Sequence, residues 1–291
     1  MLLCKKNMNK NKRKVEIVVL SDIHLGTYGC QANALKKYLK SVQPEKLILN
    51  GDIMDIWQFK KRYWPKSHMK VVKQIVSLAA EGVKTYYITG NHDEILRKFA
   101  GMKLGSFHIV NDLKIDLPDG KAWFFHGDVF DVIIQNSKWL AKLGAVGYDI
   151  LILINVLINY LARIFGIKKI SMSKRIKDNV KSALKYIDNF EETAARAGQK
   201  KGFKYVICGH IHQAQKRIVK FEQGEITYLN SGDWIENLTA LEYNKGKWKV
   251  YEYNKDPLMK EEKTEDSEKE LVMIDLSANS LLKNMLEEFQ V

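Results

Sequence analysis

The chain has 291 residues, enough for one large domain or two small ones, and 46% hydrophobic against 28% charged residues is the balance of a globular protein with a sizeable core. A formal net charge of +13 favours anionic partners, whether a phosphorylated substrate, nucleic acid or an anionic membrane surface, and does not choose among them. Three cysteines, Cys4, Cys30 and Cys208, exclude a disulfide framework and a CxxC zinc site and fit a reducing compartment, and the basic start MLLCKKNMNKNKRK lacks the apolar core of a secretion signal.

The first predicted strand is VEIVVL, Val15 to Leu20, apolar and β-branched but for Glu16, as a strand buried on both faces should be. A helix is expected over Ala32–Ser41, ending before Pro44, then a second buried strand KLILN. A helix around Met69 to Ala80 leads to a third strand, KTYYITG. This alternation predicts an α/β core. Shorter strands follow in HIVND, LKIDL and KAWFFHG, with Asp119 and Gly120 as the turn between the last two. From Phe130 to Gly202 the pattern is helical, and it reads as a helical cap, about 131–202, inserted between two core strands. Strands KYVICGH, QKRIVKF, EITYLNSG, NLTALEY and KWKVYEY then predict a mainly antiparallel closing sheet, with a turn at Asn244–Gly246. The expected architecture is a two-sheet α/β sandwich flanked by helices, with its domain at 14–254. Residues 255–291 read as a charged linker and an amphipathic helix running from Ser277 through Leu281, Leu282, Met285, Leu286 and Phe289.

Five motifs sit at the C-terminal ends of predicted strands, where open α/β folds gather ligands: SDIHLG (Asp22, His24), NGD (Asp52), GNHD (Asn91, His92), FHGD (His126) and CGHIH (His210, His212). The chain has seven histidines, and five fall in these motifs, leaving His68 and His108 as ordinary core or surface residues. Carboxylates, an amide oxygen and imidazoles without a thiolate suit Mn²⁺, Fe, Zn²⁺ or Mg²⁺. So many donors exceed what one ion with open positions needs and suit two ions sharing a carboxylate. Asp22 and His24 are two apart, so on an extended segment they point the same way; a turn at His210 and His212 would split that pair between the ions.

The ordered set DxH, GD, GNHD, HGD, GHxH resembles the calcineurin-like metallophosphoesterase family from about Val15 to Tyr253. The resemblance implies one ion on Asp22, His24, Asp52 and His212 and a second on Asp52, Asn91, His126 and His210, with Asp52 bridging. It implies two divalent ions, Mn²⁺ foremost with Fe or Zn as alternatives, hydroxide held between them as nucleophile, and His92 as the catalytic histidine. Asp93, Asp128 and Asp55 are candidates for orienting imidazoles.

For the substrate, DIWQFKKRYWPK sets Trp57, Phe59, Tyr63 and Trp64 beside Lys60, Lys61 and Arg62; Trp57 and Trp64 offer stacking for a base, and Lys60 and Arg62 charge for phosphate. In the predicted cap, Ile150 to Ala162 is uncharged and apolar, too short to span a bilayer comfortably, and is followed by Lys168, Lys169, Lys174, Arg175, Lys177, Lys181 and Lys185. A lipid-friendly basic cap between HGD and GHxH resembles the UDP-2,3-diacylglucosamine hydrolase branch of the family, implying a lipid-linked nucleotide substrate, lipid A synthesis, and a cytoplasmic enzyme peripheral on the inner membrane. His92 departs from that branch, which often carries arginine there. The alternative expectation is a general phosphodiesterase or phosphatase acting on a water-soluble ester. No nucleic-acid motif is found, so no nucleic-acid partner is expected.

Overall fold

The computed structural model describes residues 12–56, 63–131, 187 and 189–259. The predicted apolar and basic stretches of the cap, the residues Trp57, Lys60 and Arg62, and the tail beyond Met259 lie outside the described residues.

The elements run β1 (Arg13–Leu20), α1 (Ala32–Ser41), β2 (Val42–Asn50), α2 (Lys66–Ala80), β3 (Lys84–Ile88), β4 (Lys103–Leu104), β5 (Phe107–Val110), β6 (Leu113–Leu117), β7 (Gly120–Phe124), β8 (Tyr205–Cys208), β9 (Gln215–Phe221), β10 (Gly224–Asn230), β11 (Thr239–Asn244) and β12 (Lys247–Glu252). They form a seven-stranded sheet, β12-β11-β1-β2-β3-β5-β4, and a five-stranded sheet, β6-β7-β8-β10-β9.

Both helices follow from their apolar spacing. In α1, Ala32, Leu35, Tyr38 and Leu39 are buried on one face, and in α2, Val71, Ile75 and Leu78. Pro65 opens α2, where its missing N–H costs nothing, and Gly82 at φ +93° follows its end. Strand β2 begins earlier than its apolar run and includes Pro44. That proline pairs with Val15 of β1 but precedes the register with β3, which starts at Lys46, so the ladder on that side loses no donor.

Alternation along β1 and β2 builds two cores. Val18, Leu20, Leu47 and Leu49 pack with α1 and α2, whereas Ile17, Val19 and Ile48 face Phe124, Ile207 and Leu229 of the second sheet. A third cluster lies on the far face of the second sheet, where Phe190, Ala194 and Ala195 of helical residues 189–200 pack on Trp123, Val206 and Tyr228. The result is an α/β/β/α layering.

Three expectations are corrected. The second half does not close as one antiparallel sheet: β11 pairs with β1 and carries β12 into the first sheet, while the centre of the second sheet is parallel, β7 with β8 and β8 with β10. A hairpin's own alternation specifies its partner strand within the hairpin but not the sheet it joins. The β6–β7 turn lies one residue earlier than expected, at Pro118–Asp119, with Gly120 already paired to Leu117. The final hairpin pairs Asn244 with Lys247 across Lys245 and Gly246, both at positive φ, as a two-residue turn that matches strand twist requires.

Candidate metal centre

Strands β1, β2 and β3 are mutually parallel in the first sheet, and β7 and β8 are parallel in the second. Their five C-terminal ends deliver all five motifs to one seam between the sheets. Asp22, His24 and His212 each offer a ligand atom within 4.8 Å of the others, and so do Asp52, His126 and His210. The GHxH pair is therefore divided between two groups. Asp52 faces both: its Oδ2 lies 3.2 Å from His126 Nε2 and 4.0 Å from His24 Nε2.

The extended geometry expected for Asp22 and His24 is not how they meet. Asp22, His24, Asp52, His210 and His212 all have φ between 51° and 70°, five of the seven non-glycine residues at positive φ among the described residues. Such backbone is uncommon for non-glycine side chains and persists only where the surroundings impose it. Here those surroundings are hydrogen bonds: Asp22 N donates to Gly51 O, and Ile23 N and His24 N both donate to Asp52 O. His210 N donates to Asp22 Oδ2 at 3.0 Å and His92 N to Asp52 Oδ1 at 2.9 Å. The loops approach closely as well. A Cβ on Gly90 would lie 2.2 Å from Asp52 Oδ1, and one on Gly51 2.3 Å from His126 Nδ1, so both positions require glycine.

The donors are left without partners at the atoms a metal would take. Asp22 Oδ1, His24 Nε2, Asn91 Oδ1 and His126 Nε2 are buried and make no hydrogen bond. Asp22 Oδ1 and His212 Nε2 approach to 3.2 Å, close enough to attract, without hydrogen-bond alignment. Buried polar atoms almost always find partners, so four orphans converging at one seam fit a divalent centre. On the ring's other side His126 Nδ1 meets Asn50 O at 2.9 Å, which fixes the tautomer and aims Nε2 inward.

His92 lies at the edge of the cluster. Its Nδ1 is 3.0 Å from Asp55 Oδ2, its Nε2 4.0 Å from Asp52 Oδ2, and its ring meets His24 edge-on at 4.6 Å. Burial opposes a charge on this ring, but the Asp55 hydrogen bond and Asp52 outweigh it and raise its pKa. Asp55 also lies 3.5 Å from His24 Nδ1; opposed by its own burial, it is lowered to about 2 by the two imidazoles. Of the three aspartates expected to orient imidazoles, only Asp55 does so. Asp93 instead clamps backbone and a phenol, accepting from Gly90 N, Ile53 N and Tyr87 OH, and Asp128 pairs with Arg97. Trp64, expected at the substrate, packs half-buried against the first core and edge-on to His68 at 5.8 Å.

A profile described as calcineurin-like phosphoesterase matches residues 15–214. The chain belongs to the calcineurin-like phosphoesterase family. It is a metal-dependent hydrolase of phosphoester or phosphoanhydride bonds. Among curated relatives of this phosphoesterase, the UDP-2,3-diacylglucosamine hydrolase of Aliivibrio fischeri is 24% identical over 254 residues, spanning 82% of this chain and 98% of that protein. The protein of that name from Haemophilus influenzae is 24% identical over 235 residues, spanning 76% and 92%. Among solved structures, a dimetal phosphatase from Danio rerio overlays at a TM-score of 0.40 with 11% identity, covering 81% of this chain and 95% of that one.

Several residues that shape the phosphoesterase centre carry no motif of their own. At the end of β10 and just beyond it, Asn230, Ser231 and Asp233 are fully buried and tie three strand ends together. Ser21 and Ser231 share a 2.6 Å hydroxyl contact, and Asn230 Nδ2 donates to Gly209 O. Asp233 Oδ1 accepts from the backbone of Ile235, Glu236 and Asn237, and Asn237 Nδ2 donates to His212 O. The signal available in sequence was the polar run Asn230–Ser231–Gly232–Asp233 closing an apolar strand.

Without metal the cluster holds protons. Burial disfavours a charge on His212, yet Asp22 outweighs it and raises the ring to about 9; Asp52 likewise raises buried His126 well above its ordinary value. Asp22, which burial alone would raise, is lowered to about 2 by His212. Below about pH 9 an ion must displace the His212 proton, so metal affinity should climb as pH rises from ~6 towards 9, with fewer protons released per ion at the upper end. Calorimetric titration in two buffers of different ionisation enthalpy counts those protons. Affinity flat across this range would count against these imidazoles as ligands.

Proposed function

We propose that this phosphoesterase hydrolyses UDP-2,3-diacylglucosamine or a related lipid-linked nucleotide with two divalent ions, Mn²⁺ foremost. The hydrolytic reading is carried by one observation, the four buried donors without hydrogen-bond partners at the meeting of five strand ends. Asp22, His24, Asp52 and His212 would hold one ion, and Asp52, Asn91, His126 and His210 the other. Bound there, the ions supply Lewis acidity and lower the pKa of coordinated water. His92, oriented by Asp55, holds a proton on Nε2 beside the cluster and delivers it to the leaving oxygen. The substrate assignment is supported by relatives of that printed name matching along most of their own length. Base and phosphate contacts are assigned to Trp57, Lys60, Arg62 and Trp64, and acyl or membrane-surface contact to an apolar, basic insertion within a domain at 14–254. Among the described residues no helix is long and apolar enough to cross a membrane. The place of action is cytoplasmic, peripheral on the inner membrane.

The test compares Mn²⁺-loaded protein on UDP-2,3-diacylglucosamine, UDP-glucose and an aryl phosphodiester. Release of UMP from the acylated nucleotide alone supports the assignment. Turnover of the aryl ester without the acylated nucleotide replaces it with a water-soluble substrate.

A further inference from the structure

One carboxylate next to the centre is neither in its motifs nor among the aspartates considered above. Asp131 Oδ2 lies 2.8 Å from His210 Nε2. We infer that Asp131 is a positioning residue, which engages Nε2 of His210 and thereby reserves Nδ1 of that ring for the ion shared with Asp52 and His126. The inference rests on the two-ion reading above.

The ring of His210 is an imidazole. Its two nitrogens differ in role: one carries a proton and donates, the other has the lone pair a metal needs. Asp131 offers an anionic acceptor at Nε2, which places the proton there and leaves Nδ1 as the ligand atom. A ring flip about Cβ–Cγ would put carbon where each nitrogen stands and would break this bond. Other contacts hold the ring in the same pose. It meets His126 edge-on at 5.1 Å and lies tilted over Phe190 at 6.0 Å. Its backbone N–H is fixed on Asp22, and its φ of +70° leaves the main chain little freedom to re-aim it.

Asp131 is itself anchored. It follows a single 3-10 turn, Asp128–Phe130, in which Phe130 N donates to Gly127 O. Phe130 is buried edge-on against Phe125 and Phe190, so the residue before the carboxylate is fixed in the third core cluster. Gly127 makes the approach possible, since a Cβ there would lie 2.5 Å from Phe190 Cζ and 3.4 Å from His210 Cβ. Asp131 is outside the group formed by Asp52, His126 and His210, which sets it behind the ring rather than among the ligands. The other rings have comparable partners: Asn50 O for His126, and Asp55 for His24 and His92. Asp131 gives His210 the support that His126, His24 and His92 already have.

The experiment titrates metal-free protein with Mn²⁺, reading affinity by calorimetry and the spin-coupled ion pair by electron paramagnetic resonance. Wild type should bind two ions. Asp131→Ala should weaken one of them by roughly 10- to 100-fold and leave the other unchanged. Asp131→Asn, whose amide oxygen still accepts from Nε2–H, should stay within a few-fold of wild type and keep the coupled signal. His210→Ala marks complete loss of that ligand, and thermal midpoints in chelator check the fold of each variant. Two ions bound to Asp131→Ala with wild-type affinity would overturn the inference. So would an Asn variant as impaired as His210→Ala, which would make Asp131 a ligand. Fewer than two ions on wild type would remove the two-ion reading and this inference with it.

Discussion

Asp52→Asn should lose tight binding of both ions and lower metal-dependent hydrolysis by roughly 10³-fold or more. Asp52 is buried, and its Oδ2 faces imidazoles of both donor groups, His126 at 3.2 Å and His24 at 4.0 Å. Its other oxygen, Oδ1, accepts from His92 N at 2.9 Å and so holds the loop after β3. The asparagine keeps an oxygen for that bond, so the loop should remain in place while the shared negative charge is lost. Metal binding itself gives a readout independent of turnover. An ion present at 100 times its Kd stabilises the wild-type fold by about 2.7 kcal/mol, which raises the thermal midpoint. In Asp52→Asn the midpoint should stop responding to Mn²⁺ over that range, with its metal-free value near wild type. A variant that kept two ions and normal turnover would remove Asp52 from the bridging position.

The reason one side chain can have so large an effect lies in how the centre is assembled. No single element carries it: Asp22 and His24 follow β1, Asp52 follows β2, Asn91 and His92 follow β3, His126 follows β7, and His210 and His212 follow β8. The sheets meet through an apolar core of Ile17, Val19, Ile48, Phe124, Ile207 and Leu229, which fixes the distance between the two sets of strand ends. The polar contacts above that core, Asn50 Nδ2 to Phe125 O and Asn230 Nδ2 to Gly209 O, join the last residues of β2 and β10 to the segments just after β7 and β8. The site is therefore a property of the packed sandwich, with strained backbone at its ligands held by many weak constraints together.

That division explains what could be read from residues alone. Strands β1 and β2 were legible because a strand buried on both faces carries a continuous apolar run, here Ile17–Leu20 and Leu47–Leu49, β3 because β-branched and aromatic residues fill Thr85–Ile88, and α1 because Ala32, Leu35 and Leu39 recur at helical spacing. The ligand identities were legible because few side chains bind divalent ions and they lay at predicted strand ends. The backbone at those ligands was not. Nothing in an aspartate or histidine marks it for positive φ, so Asp22 and His24, two residues apart, read as sharing one side of an extended segment. Sheet membership of β11 and β12 was hidden because LEYNKGKWKVYEY fixes its hairpin and leaves its neighbour open. Asp131 has no local signal in the sequence, because it opens a helical-looking stretch and its partner lies 79 positions away.

His92→Gln should lower kcat by about 10²- to 10⁴-fold, the span expected for a general acid, with two ions still bound. When the P–O bond breaks, its electrons go to the leaving oxygen, which takes the proton from His92 Nε2; the ring then regains a proton from solvent. The reactive form is the protonated imidazole, so activity must fall as pH rises through the His92 pKa. In the metal-free protein burial lowers that pKa, but the Asp55 hydrogen bond at 3.0 Å, with Asp52, more than offsets it; with ions on Asp52, Asp55 is the anionic partner left to hold the proton on the ring. Asp55→Asn removes the anionic partner while leaving a hydrogen-bond acceptor. The basic limb of the kcat profile should therefore move to lower pH in Asp55→Asn, with kcat reduced most on the alkaline side and KM little changed. In His92→Gln, with no titrating ring, that limb should disappear. A basic limb in the same place in all three proteins would show that some other group supplies the proton, and would leave Asp55 and His92 as supports for the ligands around them.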